Sequence, residues 1–199
     1  MTALPSHKVL SEVLMPSAGN ALWAKRAALV VLGVAALAVA AKIKVPMWPV
    51  PITMQTFVLL LVGAGYGARL GLLTIAAYLA VGALGFDVFT SSGPENNGLA
   101  YMMGSTGGYL AGYLVAVALM GWLARRGWDR SIAWTALALL AANVAIYVPG
   151  LWWLGQLYGW DQPILAWGLY PFLLGDALKL ALAALLLPGL WRLVGPARG

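Results

Sequence analysis

Residues 170–180 read YPFLLGDALKL, an aspartate and a lysine three positions apart inside a long apolar run. An ionisable side chain at the centre of a membrane helix costs ~2.5–3.5 kcal/mol on insertion scales, so Asp176 and Lys179 require a compensating role. Their i, i+3 spacing sets both on nearly one helix face, with ~4.5 Å of axial rise between them. Charges so placed either neutralise each other as a structural ion pair or form a polar ligand site facing the bundle interior. In a ligand site the aspartate accepts N–H bonds and the ammonium meets a carboxylate or a carbonyl. Other polar groups are candidates to converge there: Gln55, the pair Asn143 and Tyr147 one turn apart, and Thr106 and Tyr109 in GSTGGY. In that last stretch Ser105 or Thr106 is the expected helix cap, and the free N–H groups behind it suit an anion. Trp152, Trp153 and Phe172 offer either walls for an apolar ligand body or anchors at the membrane interface.

The elements that must hold these groups are apolar throughout. The chain has 199 residues, 62% hydrophobic and 9% charged, with a mean hydropathy of +0.86. Soluble domains are roughly half apolar and a quarter charged, so this composition belongs to a polytopic membrane protein. There is no cysteine and one histidine, His7, which argues against a disulfide framework and against Cys- or His-based metal sites. The net charge of +6 comes from basic residues lying almost entirely between hydrophobic runs, a pattern of membrane orientation rather than nucleic-acid binding. The pattern G-x-x-x-x-G-K-[ST] is absent, and none of the five lysines follows a glycine. Zinc-protease, nucleophile-elbow and dinucleotide patterns are absent too. The chain is therefore not expected to hydrolyse ATP or to be an enzyme, and no cofactor is implied.

Hydrophobic runs at about 22–41, 53–66, 69–85, 106–124, 132–154 and 167–190 predict six membrane helices in one domain over 1–199. The breakers between them are KVPMWPVPIT, GAGYGARLG, TSSGPENNG, RRGWDR and GWDQP. The segment AKRAALVVLGVAALAVAAK has the layout of a secretory signal peptide. A long polar stretch precedes it, so it reads as a retained first helix. With the N-terminus inside, Lys8, Lys25, Arg26, Arg69, Arg125, Arg126, Arg130, Arg192 and Arg198 fall on the cytoplasmic side, and only Lys42 and Lys44 fall outside. The expected fold is an all-α integral membrane bundle of the cell's cytoplasmic (inner) membrane, both termini cytoplasmic, with the ligand site in its outer half. The prolines of KVPMWPVPIT make a stiff lid or a plain connector, and the long loop GFDVFTSSGPENNGLAYMMG is of the kind that covers binding sites. Small residues recur at four-residue spacing in the first helix, Ala24/Ala28 and Ala36/Ala40, either as ordinary packing or as a docking face for another membrane protein.

Taken together, VPMWPVPITMQT, GSTGGYLAGY, IYVPGLWWL and YPFLLGDALK resemble the BioY family, the biotin-binding S components of energy-coupling factor (ECF) vitamin transporters. The resemblance covers about residues 42–180, in the family's order and spacing. It implies a six-helix protein that captures biotin from the outer side and topples in the membrane to carry it inward. It also implies association with a transmembrane coupling protein and a pair of ABC ATPase subunits that use the ATP. Asp176 and Lys179 match the family's GDxxK pair, Gln55 its PIT-x-Q-T glutamine and Tyr147 its fifth-helix tyrosine, and the alanine faces of helix 1 match its docking surface. On this resemblance Asp176 accepts from a biotin N–H or orders Lys179, which meets a biotin oxygen. Many relatives carry an arginine in the loop before G-x-TGGY. Here SGPENNGLAYMMG has Asn96 and Asn97 instead, leaving Asn97, Lys179 and the helix-4 amides as candidates for the carboxylate, and Ser105 replaces the usual proline. Three rival readings stay open: an S component for another vitamin, a small membrane enzyme using the Asp176/Lys179 pair for proton transfer, and a structural or assembly subunit. Whether the chain works alone as a homo-oligomer is also open.

Overall fold

The computed structural model describes residues 8–14 and 19–194; His7 and Arg198 lie outside the described residues. The helices are α1 (Leu10–Leu14), α2 (Asn20–Lys42), α3 (Gln55–Ala83), α4 (Gly98–Met102), α5 (Gly107–Ala124), α6 (Ile132–Tyr158), α7 (Ile164–Gly168) and α8 (Tyr170–Val194). Two short strands, β1 (Lys44–Val45) and β2 (Ile52–Thr53), pair antiparallel with Lys44 opposite Thr53. Among the described residues, five stretches are long and apolar enough to cross a membrane: α2, α3, α5, α6 and the run from α7 through α8. Their outward faces carry large exposed apolar side chains such as Val31, Leu73, Val115, Leu140 and Leu178. So broad an apolar surface suits hydrocarbon, and helices meet the requirement that backbone polar groups be paired within the segment.

The second and third expected spans are continuous in α3 except at Gly67, whose backbone (φ 76, ψ 171) is non-helical and lies where only glycine sits without strain. The chain folds back there. A Cβ on Gly71 would stand 3.7 Å from the Cα of Gly63, positions that a straight helix would hold ~12 Å apart. α5 closes over this turn: a Cβ on Gly121 would lie 2.2 Å from the Ala68 nitrogen, so the contact is backbone against backbone.

Three boundaries differ from expectation. α6 continues past 154 to Tyr158, tolerating Pro149 as membrane helices do, and stops at Gly159 (φ 96). The last run begins as α7 and breaks at Leu169 before α8; the Tyr109 hydroxyl donates to the Gly168 carbonyl at the break (2.8 Å). Thr106 precedes α5 but its side chain does not cap the helix, and the Ser105 hydroxyl instead donates to the Pro49 carbonyl (2.7 Å).

Most of the described basic residues collect at one end of the bundle, away from Lys42, Lys44 and Lys179. There Arg125 pairs with Glu12 of α1, and the Arg130 guanidinium lies 4.3 Å over the Trp191 ring and donates to the Lys8 carbonyl. Trp191 Nε1 donates to Asp129 Oδ2 (2.6 Å). Asp129 is fully buried between α5 and α6, and its Oδ1 has no partner among the described residues. Burial pushes this carboxyl up to about 6, against the opposing pull of the Trp191 hydrogen bond and the Arg130 charge.

Because the folded-state pKa stands above the ordinary aspartate value of 3.8, the stability linked to the protonated carboxyl is complete below about pH 4 and is lost as pH rises through about 6. Asp129→Asn keeps an acceptor for Trp191 and is expected to flatten that fall in melting temperature, measured on purified protein in detergent; a profile parallel to the parent's would contradict the assignment. Gly121→Ala is expected to cost about 1–3 kcal/mol by forcing α5 off the Gly67 turn, read as a lower melting temperature at every pH.

Candidate ligand site

At the opposite end the helices leave a cavity between α3, α5, α6, α8 and the strand pair. Its polar side is built around the α8 aspartate. Asp176 and Lys179 are one turn apart, as their spacing requires, and Lys179 Nζ lies 2.7 Å from Asp176 Oδ1, both side chains at most 10% exposed. α6 presents two residues at i, i+4 spacing to the other carboxylate oxygen. Asn143 Nδ2 donates to Asp176 Oδ2 at 3.0 Å, and the Tyr147 hydroxyl donates to the same oxygen. Lys179 places its remaining protons on β2 and the start of α3, reaching the Thr53 carbonyl and Thr56 Oγ1, each at 2.9 Å. All three ammonium protons thus meet protein acceptors. Asp176 Oδ1, bonded among the described residues only to Lys179, retains acceptor capacity towards the cavity.

Gln55, the first residue of α3, is 2% exposed. Its Oε1 accepts from the Tyr113 hydroxyl (3.2 Å), while Nε2 makes no hydrogen bond among the described residues. The Tyr78 hydroxyl, which donates to the Val88 carbonyl, is near enough to interact with the Gln55 amide without meeting hydrogen-bond geometry. An unpaired buried donor costs ~1–3 kcal/mol, so this amide is a standing demand for an acceptor. The cavity therefore offers a donor and an acceptor at its polar side and apolar walls from Val50, Leu110, Ile146 and Phe172. Tyr109, Tyr147 and Phe172 brace one another with ring centroids 6.1–6.5 Å apart.

The roof comes from two segments. Val50 and Pro51 of the proline-rich connector line the cavity, and Trp48 is packed edge-on against Trp167 (5.0 Å) and Tyr158 (5.7 Å). Phe89 and Thr90 of the long loop line it as well, Phe89 stacking on Tyr101 (4.9 Å). Lys42 at the end of α2 and Lys44 of β1 tie this loop down: Lys42 Nζ reaches Asp87 Oδ1 (2.6 Å) and the Phe89 carbonyl (2.7 Å), and Lys44 Nζ reaches the Thr90 carbonyl (2.7 Å). Hydrogen bonds from Lys42 and Ser92 hold the exposed Asp87 carboxyl below the usual range.

Of the residues singled out from sequence, Gln55, Thr106, Tyr109, Asn143, Tyr147, Asp176 and Lys179 line this cavity, as does Phe172. Asn97 and Trp153 do not. Asn97 sits at the start of α4, and Trp153 spends its Nε1 proton on the Gly104 carbonyl (2.8 Å) beneath the start of α5. Trp152 points outward, 56% exposed. Asn96 lines a second, outer pocket with Trp48 and Ser105; Thr106 borders both pockets. Sequence reasoning missed Thr53, Thr56 and Tyr113. The last two had a signal, since Thr56 adjoins Gln55 and Tyr113 lies one turn beyond Tyr109. Phe89 and Thr90 lie in the long loop expected to cover a site, though neither residue was singled out within it. In α2, Ala24, Ala28 and Ala36 are exposed, whereas Ala40 is buried in the chain's own bundle.

Against known proteins, the profile of the BioY family matches residues 10–196. The chain is 36% identical over 163 residues to a probable biotin transporter BioY of Pyrococcus horikoshii, covering 82% of this chain and 94% of that one. It is 33% identical over 152 residues to the biotin transporter BioY of Thermotoga maritima, covering 76% and 87%. In structure it is similar to the crystallised S-component for biotin from an ECF-type ABC transporter, with a TM-score of 0.71 over 88% of this chain and 95% of that one at 22% identity. That likeness is one of fold. With the family profile spanning nearly the whole described chain and relatives aligned almost end to end, this multi-pass membrane protein belongs to the BioY family.

Proposed function

We propose that the chain is the substrate-binding subunit of an ECF-type ABC transporter and that its cavity takes biotin. The observation that carries this reading is the polar side of the cavity. A buried Gln55 amide lacks an acceptor, and the Asp176 carboxylate, held by Asn143, Tyr147 and Lys179, still has acceptor capacity. A cyclic urea offers both complements, a carbonyl for Gln55 and N–H groups for Asp176, and the rest of biotin is apolar up to its carboxylate. Lys179 has its protons committed to Asp176, Thr53 and Thr56, so it acts by fixing Asp176. The carboxylate end then points to the mouth. There Thr106 has a hydroxyl unused in capping and Asn96 lines the outer pocket; Asn97 is one residue further along the loop. The family's transport role, rather than catalysis, also accounts for a buried charge cluster with no reacting partner group.

In this reading the break at Gly67 divides α3 into two crossings, making six, and the cationic end faces the cytoplasm with both termini, as the distribution of basic residues favours. The cavity opens outward from the cytoplasmic membrane. Energy comes from partner ATPases through a transmembrane coupling protein, which docks on the exposed Ala24, Ala28 and Ala36 face of α2.

Purified chain in detergent is expected to bind labelled biotin one-to-one, with other vitamins failing to compete. Gln55→Leu and Asp176→Asn are each expected to weaken binding at least about tenfold, the equivalent of one lost hydrogen bond to a buried group. Lys179→Met strands a buried carboxylate and is expected to lower stability by about 3–5 kcal/mol, visible in the melting temperature without ligand. No binding by monodisperse wild-type protein would sink the biotin assignment, and competition by another vitamin would redirect it.

A further inference from the structure

The second large hollow of the molecule lies at the cationic end, far from the cavity. It is a groove of about 1500 Å³, open to its surroundings, between α1, the first half of α2 and the second half of α3. Four cations border it, Lys25, Arg26, Arg69 and Arg125, against the single acid Glu12, a net charge of +3. Arg125 is paired with Glu12, Lys25 donates to the Ser11 carbonyl (2.6 Å), and the Arg26 guanidinium stands 5.4 Å over the Trp23 ring. Arg69, at the exposed edge of the turn after Gly67, makes no hydrogen bond or ion pair among the described residues. Away from the charges the groove becomes apolar. Val30 and Val31 of α2 face Leu70 and Leu73 of α3, with Trp23, Val31 and Leu73 each more than half exposed. From Leu22 to Val31 the wall runs ~13 Å along the helix axis, from the charged end towards the membrane interior.

We propose that this groove binds one anionic phospholipid, its phosphate among Arg69, Arg26, Lys25 and Arg125 and an acyl chain along the α2–α3 wall. Charge and shape both favour this occupant. A basic pocket between membrane helices at the cytoplasmic face attracts acidic headgroups, and the apolar wall continuing from it would stay bare beside a water-soluble anion. Among the described residues, Glu12 is the one acid that borders the groove, and it is paired with Arg125. The inference rests on the membrane reading of the chain and is independent of the identity of the transported ligand.

The test uses delipidated full-length protein in maltoside micelles, titrated with dioleoylphosphatidylglycerol or dioleoylphosphatidylcholine and scored for bound lipid by native mass spectrometry. One phosphatidylglycerol is expected to be retained more tightly than phosphatidylcholine. Arg69→Gln and Arg26→Gln are each expected to weaken it about fivefold, and Arg69→Lys is expected to restore near-parental binding, with monodispersity and circular dichroism reporting that every variant is folded. Glycerol phosphate and inorganic phosphate are expected not to displace the lipid; displacement by either would assign the groove to a soluble anion and overturn the proposal. Equal retention of the two lipids, or an unchanged affinity in folded Arg69→Gln, would overturn it as well and leave the groove to an acidic segment of a partner protein.

Discussion

A carboxylate and an ammonium inside a membrane bundle each lose several kcal/mol of hydration, and their mutual attraction compensates only when the remaining lone pairs and protons also find partners. At Asp176 and Lys179 this condition draws in three separate parts of the chain. α6 supplies two donors to one carboxylate oxygen. The strand β2 and the start of α3 supply two acceptors to the ammonium. The pair thereby pins the entry of α3 and the middle of α6 to α8, and those elements define the polar side of the cavity. A group introduced to satisfy a charge is in this way also a group that positions the site.

The pinning works because the backbones come close elsewhere. α5 lies centrally, against both α3 and α6, and its glycines allow contacts a side chain would block. Gly121 touches the backbone of the Gly67 turn, and a Cβ on Gly112 would stand 2.8 Å from the Ile146 Cα of α6. Tyr109 and Tyr113, on the same helix, are then near enough to reach α7 and Gln55 respectively. In hydrocarbon, where apolar burial between helices gains little, such close packing and interhelical hydrogen bonds are the main sources of association.

The two ends of the bundle handle charge differently. Around the cavity, cations are fully committed: Lys42 and Lys44 bond carbonyls of the covering loop, and Lys179 bonds its three acceptors. They hold the covering loop over a mostly apolar chamber. At the other end several guanidinium groups rest on aromatic rings or stand exposed, as befits a surface in contact with headgroups and water. One end surrounds a mostly apolar cavity with committed charges, and the other presents exposed guanidinium groups.

Composition and spacing alone determined that the chain is a membrane bundle, that Asp176 and Lys179 share a face, and that Asn143 and Tyr147 form a pair one turn apart. They also marked most of the turns, including the one at Gly67. These are local properties: periodicity decides which residues share a face, and glycine and proline decide where a helix can turn. Only the tertiary structure decided which elements meet. Lys179 is saturated partly by a backbone carbonyl, which leaves no trace in side-chain identity. Trp153 and Asn97 lay near the expected site in sequence, yet one is held beneath the start of α5 and the other sits at the start of α4 beside the outer loop. Phe89 and Thr90 reach the cavity only because Lys42 and Lys44 fasten their loop across it. The alanine spacing of α2 did not reveal that Ala40 turns inward while Ala36 faces out. A helix's spacing encodes its faces, whereas the element opposite each face, and its depth, follow from how helices pack across the whole bundle.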